Sequence, residues 1–132
     1  MTERGSRLAF GLLAVAWAAG IFWLSSRADP LPFLDEDLFS HDKLLHAGGY
    51  ALLGGLLAGA LVRRRLVRVR AVVGAVLLAT AYGATDEWHQ SHVPGRDADP
   101  ADLLADAAGA IVGAAAAAVI LRGRGARASI RA

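Results

Sequence analysis

LLHAGGYALLGGLLAGALVRRRLVRVRAVVGAVLLATAYG, residues 44–83, decides the fold. Two apolar runs, Leu44–Val62 and Ala71–Gly83, flank a segment that carries five arginines. The first run is interrupted only by His46 and Tyr50, and the second leads into Thr85, Asp86 and Glu87. Working outward, Leu8–Leu24 is apolar over 17 residues between Arg7 and Arg27, and Leu103–Leu121 contains one charge, Asp106. A membrane-crossing helix needs about 20 predominantly apolar residues, with roughly 17 as the lower limit. The run at 71–83 reaches that length only if its polar end lies within the membrane region. A soluble alanine-rich bundle keeps a charged face along each helix, whereas these runs are charged only at their ends. The expectation is an all-α membrane protein, four transmembrane helices in a compact bundle. It comprises one domain over 1–121 and a basic Arg/Gly/Ala-rich tail, 122–132, expected to be disordered and cytoplasmic. The first run has the look of a signal peptide, but Ile21–Phe22–Trp23–Leu24 continues past any small-residue cleavage site, so it reads as a retained span.

Charge sets the orientation. The chain has 132 residues and a formal net charge of +2, a small figure that hides segregation. Eleven arginines, in patches before the first run, between the second and third, and after the fourth, face a single acid, Glu3. The rest of the chain holds Arg27, Lys43 and Arg96 against eleven acids. Arginine-rich connections stay cytoplasmic, so both termini and the 63–70 loop belong inside, and the acidic 25–43 and 90–102 segments outside. The basic groups punctuate apolar runs and form no aromatic-laced stripe, which argues against nucleic acid as a partner. There is no cysteine, so disulfides, thiol nucleophiles and cysteine-bound metals are excluded.

All four histidines, His41, His46, His89 and His92, fall at the predicted outer end, as do nearly all the acids. Asp42, His46 and Tyr50 recur at four-residue spacing, one stripe of a helix, with Lys43, the only lysine, beside them. Tyr82, Asp86 and Gln90 form a second stripe, His89 lying one turn from Asp86 and Glu87 and Trp88 pointing elsewhere. After the Val93–Pro94–Gly95–Arg96 turn, Asp99–Pro100 reads as an N-cap followed by proline at the first helical position. Asp102 and Asp106 follow along that helix. Capping and the helix dipole can account for Asp42, Asp99 and Asp102. They do not account for Asp86 and Asp106, each about a turn inside an apolar run, where ionisable groups are costly and by default functional. His46 joins them because it shares its stripe with an acid and a tyrosine. Gly55 with Gly59, and Gly109 with Gly113, have the small-xxx-small spacing that lets helices approach closely.

These motifs together resemble the VanZ-like family. They are Asp42-Lys43-x-x-His46-x-x-x-Tyr50, Asp86-Glu87-x-x-Gln90, Pro94-Gly95-Arg96, and Asp102-x-x-x-Asp106-x-x-Gly109-x-x-x-Gly113. The resemblance spans roughly residues 8–121, with one departure, since the family commonly has Asn where this chain has Asp106. It implies a small multi-pass protein of the bacterial inner membrane, related to a member associated with teicoplanin resistance. It implies no particular reaction.

If the motif-bearing helices meet, Asp42, Lys43, His46, Tyr50, Tyr82, Asp86, Glu87, His89, Gln90, Arg96, Asp102 and Asp106 gather around one outward-facing pocket. Catalytic duty is expected of His46, Asp86, Asp42, Tyr50, Glu87, Gln90, Asp102 and Asp106, and substrate binding of Lys43, Arg96, His89 and Tyr82. The leading reading is hydrolysis of a lipid-linked envelope substrate. In it His46 is the general acid or base, oriented by a carboxylate, and Lys43 and Arg96 hold an anionic group. The alternatives are non-enzymatic binding of a lipid head group or lipoglycopeptide, and a small dimeric transporter or scramblase. Membrane lipids are the expected partners, with a homodimer permitted by the glycines. No cofactor is required. A divalent metal on His46, His89, Asp86 and Glu87 is a secondary option, opposed by Lys43 and Arg96 and by the lack of a recognised metal-motif spacing.

Overall fold

The computed structural model describes residues 2–28, 42–62 and 68–130, with the side chains of 42, 68 and 122–130 outside that description. Four helices follow in order: α1 (Glu3–Ser25), α2 (Asp42–Leu61), α3 (Arg68–Gln90) and α4 (Pro100–Ile130). All four are long and apolar enough to cross a membrane, over Glu3–Ser25, Lys43–Leu61, Val69–Gln90 and Pro100–Leu121. The third reaches spanning length because its helix continues through Asp86 and Glu87 to Gln90.

Local chemistry sets the helix starts. Thr2 Oγ1 accepts the Gly5 N–H at 3.2 Å and so caps α1. Asp99 Oδ1 accepts the Ala101 N–H at 2.8 Å just ahead of Pro100, the arrangement expected of an N-cap with proline first. Between α3 and α4 the chain turns through Gly95, whose φ of 82° lies in the left-handed region that a side chain resists. α4 runs on to Ile130, through most of the tail that composition reads as disordered. Alanine and arginine are good helix formers, and no proline follows Pro100 to stop them.

Three contacts fix how the helices run. Arg7 Nε donates to the Ala60 carbonyl at 2.9 Å, which puts the start of α1 beside the end of α2. Ser25 Oγ donates to Asp86 Oδ2 at 2.7 Å, joining the ends of α1 and α3. Lys43 Nζ reaches Asp99 at 2.7 Å and Asp102 at 2.9 Å, joining the starts of α2 and α4. The bundle therefore runs up-down-up-down, and its acidic motif residues share one end.

Packing is tightest between α2 and α4. Gly109 and Gly113 lie directly on the backbone of Ala47 and Ala51, and Gly54 lies on Ala110, so closely that a Cβ at any of the three would overlap the facing main chain. Gly55 approaches the Gly113 carbonyl, whereas Gly59 faces the Phe10 ring of α1. Alanines fill the centre, with Ala58, Ala75, Ala79, Ala110 and Ala114 fully buried. Large side chains point outward, Val69 being 77% and Leu104 72% exposed. Small residues inside and bulky apolar ones outside suit a lipid surround, where helices associate through close packing and not through hydrophobic burial.

Candidate functional site

The polar end is built from two faces of α3. Asp86 and Gln90, one turn apart, point towards α1, and Glu87 points towards α2 and α4. Glu87 lies off the stripe that Asp86 and Gln90 share and is buried at the polar end nonetheless. One stripe of a helix is about one residue in four, but α3 has neighbours on two sides, so adjacent positions 86 and 87 are both buried.

On the first face, Asp86 Oδ2 accepts from Ser25 Oγ at 2.7 Å and from Gln90 Nε2 at 3.1 Å. Gln90 Oε1 in turn accepts from Arg96 Nη2 at 2.5 Å. Ser25 Oγ also lies 2.9 Å from the Ile21 carbonyl, so the hydroxyl sits between two acceptors. On the second face, His46 Nδ1 and Asp106 Oδ1 are 2.9 Å apart, and His46 Nε2 is 3.9 Å from Asp102 Oδ2. Glu87 Oε2 accepts the Asp99 backbone N–H at 3.0 Å, which ties α3 to the start of α4. Lys43 is spent on Asp99 and Asp102. Its ammonium, hydrogen-bonded to Asp99, holds that carboxyl below the usual carboxylate range, with the Ala101 N–H adding to the effect.

Asp106 is 0% and Glu87 8% exposed. Asp86 Oδ1, Glu87 Oε1, Asp106 Oδ2 and the Tyr50 hydroxyl are all buried without a hydrogen-bond partner among the described residues. Unpaired buried polar atoms are costly, and four at one end of a bundle mark a site poised for something other than its own packing. One atom each from His46, Glu87 and Asp106 lies within 4.8 Å of the others. Asp106 fits because α3 is bare at Gly83, where a Cβ would meet Asp106 Oδ2 at 2.7 Å.

Beside this polar core lies a cavity of about 470 Å³. Trp17, Ile21 and Leu24 of α1 and Leu44, Leu45 and Leu52 of α2 form its apolar wall. Ser25, His46, Tyr50, Asp86, Gln90 and Arg96 form its polar end. The volume falls within the range of small-molecule sites, about 300–1,000 Å³. Trp17 donates its indole N–H to the Gly49 carbonyl at 2.8 Å and pins α1 to α2.

Of the residues singled out from sequence, Lys43, His46, Glu87, Asp102 and Asp106 come together across α2, α3 and α4. Tyr50, Asp86, Gln90 and Arg96 adjoin them through the cavity. Tyr82 donates to the Ala18 carbonyl at 2.7 Å and is spent on helix packing. His89 stacks on Phe22, ring centroids 4.5 Å apart, with Ser26 Oγ 3.0 Å from its Nε2, and stands apart from the acidic group. The Asp42 side chain lies outside the described residues, as does His41. Ser25 is the residue that sequence reading missed. Its only sign is its place at the polar end of the first run, level with the acids.

No curated protein and no solved structure matches this sequence. A family profile described as VanZ/LLP1 matches residues 19–122, more than three-quarters of the sequence and every residue of the polar end just described. With four membrane-capable helices beneath that match, the chain is a multi-pass membrane protein that belongs to the VanZ/LLP1 family.

Proposed function

We propose that the protein takes an anionic, lipid-linked envelope molecule into the cavity and hydrolyses its head group at the polar end. The observation that carries this reading is the cavity itself, one wall hydrocarbon and one end lined by His46, Asp86, Gln90 and Arg96. A lipid tail matches Leu44, Leu45 and Leu52, and a phosphate or an amide-bearing head group matches the polar end. Since Lys43 is engaged by two carboxylates, anion binding falls to Arg96. His46 is held by Asp106, so it is the group placed to take a proton from an attacking water and return it to the leaving group. The arginine distribution supports a polar end outside the bacterial inner membrane.

The test is turnover of a phosphate-linked polyprenyl or glycolipid substrate by purified protein in proteoliposomes. His46→Ala should reduce turnover by about 100-fold or more, the usual contribution of a positioned acid–base group, with substrate affinity kept. If affinity falls in step with turnover, or turnover is absent in the parent protein while binding persists, the second reading takes over. That reading is sequestration of a lipid head group or lipoglycopeptide, and the predominance of leucine in the cavity wall favours it. A contribution to teicoplanin-type resistance is then read as a change in susceptibility when the chain is expressed in a sensitive host.

A further inference from the structure

The geometry points to a divalent-cation site at the polar end, built by His46 of α2, Glu87 of α3 and Asp106 of α4. Three observations converge on it. The three side chains come from three helices, yet a ligand atom of each lies within 4.8 Å of the others. Each carboxylate has one oxygen fixed and one open: Glu87 Oε2 is held by the Asp99 N–H and Asp106 Oδ1 by His46, while Glu87 Oε1 and Asp106 Oδ2 are buried without a partner. And both carboxylates are more than nine-tenths buried, where an unneutralised negative charge is expensive.

The donor set is chemically suited. One imidazole and two carboxylates are borderline-to-hard ligands of the kind Zn²⁺ and Mn²⁺ accept. Three protein ligands also leave a position for water, the pattern of a catalytic and not of a closed structural site. Asp102 Oδ2, 3.9 Å from His46 Nε2, adds a further carboxylate near the imidazole. The two cations that oppose a metal when the sequence is read alone do not oppose it here. Lys43 is neutralised by Asp99 and Asp102, and Arg96 is turned to Gln90 on the other face of α3. The set also differs from the one that sequence suggests, with Asp106 in place of His89 and Asp86.

The site stands on the polar core and not on the substrate reading, so its test contains no substrate. Joined to that reading, a bound cation supplies the activated water, and His46 serves as a ligand while the reaction class stays the same.

The purified, chelator-stripped full chain in lipid nanodiscs is titrated calorimetrically with ZnCl₂ and separately with MnCl₂, and its unfolding temperature is followed in parallel. The expected result is saturable binding of one equivalent of at least one of the two ions with a rise in unfolding temperature. Glu87→Gln and Asp106→Asn should each weaken binding by at least tenfold, and His89→Gln should leave it unchanged. Absence of saturable one-equivalent binding by the parent chain overturns the site. So does a Glu87→Gln variant that folds and binds with parental affinity. Should the variants fail to fold, the parent chain decides alone through its stoichiometry and unfolding shift. Metal binding without lipid turnover removes the hydrolytic reading and leaves the site standing; turnover without metal binding does the reverse.

Discussion

Asp106 and Ser25 show how much of the polar end depends on single atoms. Asp106 is accommodated only because residue 83 has no side chain, so its placement is as much a property of α3 as of α4. Ser25 supplies a hydroxyl donor to the buried Asp86 carboxylate. Ser25→Ala leaves that carboxylate with the Gln90 amide and should destabilise the fold by about 1–3 kcal/mol, the usual penalty for orphaning a buried polar partner. Thermal unfolding in detergent measures it. Ser26→Ala, an exposed neighbour that donates to the Phe22 carbonyl, should shift the midpoint far less. Equal shifts would mean that the Ser25–Asp86 bond adds nothing particular. His46, Asp86 and Asp106 are legible from sequence because charge inside an apolar run has no cheap explanation. Ser25 is not legible, because a serine at the end of a span is ordinary until the fold puts an aspartate against it. Periodicity puts Glu87 off the Asp86 stripe, but its burial depends on how many neighbours the helix has.

At the level of elements, α2 and α4 form a unit welded by glycine. Gly109 and Gly113 put one main chain against the other, so any enlargement must prise the helices apart. Gly113→Leu should cost about 1–3 kcal/mol or more, in line with overpacking of a tight interface, and should disturb the Lys43–Asp102 and His46–Asp106 contacts that bridge the same two helices. Gly20→Leu on α1, where a Cβ meets nothing within 4 Å, is the matched control. Unfolding midpoints of the two variants separate packing from bulk, and a control as damaging as Gly113→Leu would contradict the assignment. The existence of the four spans, the N-cap at Asp99 and the role of Gly109 and Gly113 can all be read from the sequence. The identity of the other glycine contact cannot. The spacing picks out Gly55 and Gly59, but Gly54 makes the close approach to α4, since a repeat of four fits both neighbouring phases and only the rotation of the helix chooses between them.

For the molecule as a whole, charge and packing describe the same object from opposite ends. Arginine-bearing ends collect on one side and acidic ends on the other, and between them the exterior is apolar. The arrangement predicts that Ser91→Cys, on the exposed turn after α3, reacts with a membrane-impermeant maleimide added to intact cells. Thr2→Cys should react only after permeabilisation. The parent chain has no cysteine, so each signal belongs to one position. Protection of Ser91→Cys with labelling of Thr2→Cys would invert the orientation and move the cavity to the cytoplasmic leaflet.

The helix that forms much of the cavity wall is also the one least committed to the bundle. Of α1's residues only Ala14 and Ser25 are buried, and the helix meets α2 far more than α3. If a ligand enters the cavity past α1, it comes from the bilayer and not from water. A molecule arriving by that route is met at its concentration in the membrane, which partitioning raises far above its concentration in solution. For an amphiphile, then, a site of modest intrinsic affinity is enough, and lengthening the tail should fill the cavity more readily even where the extra carbons never touch the protein.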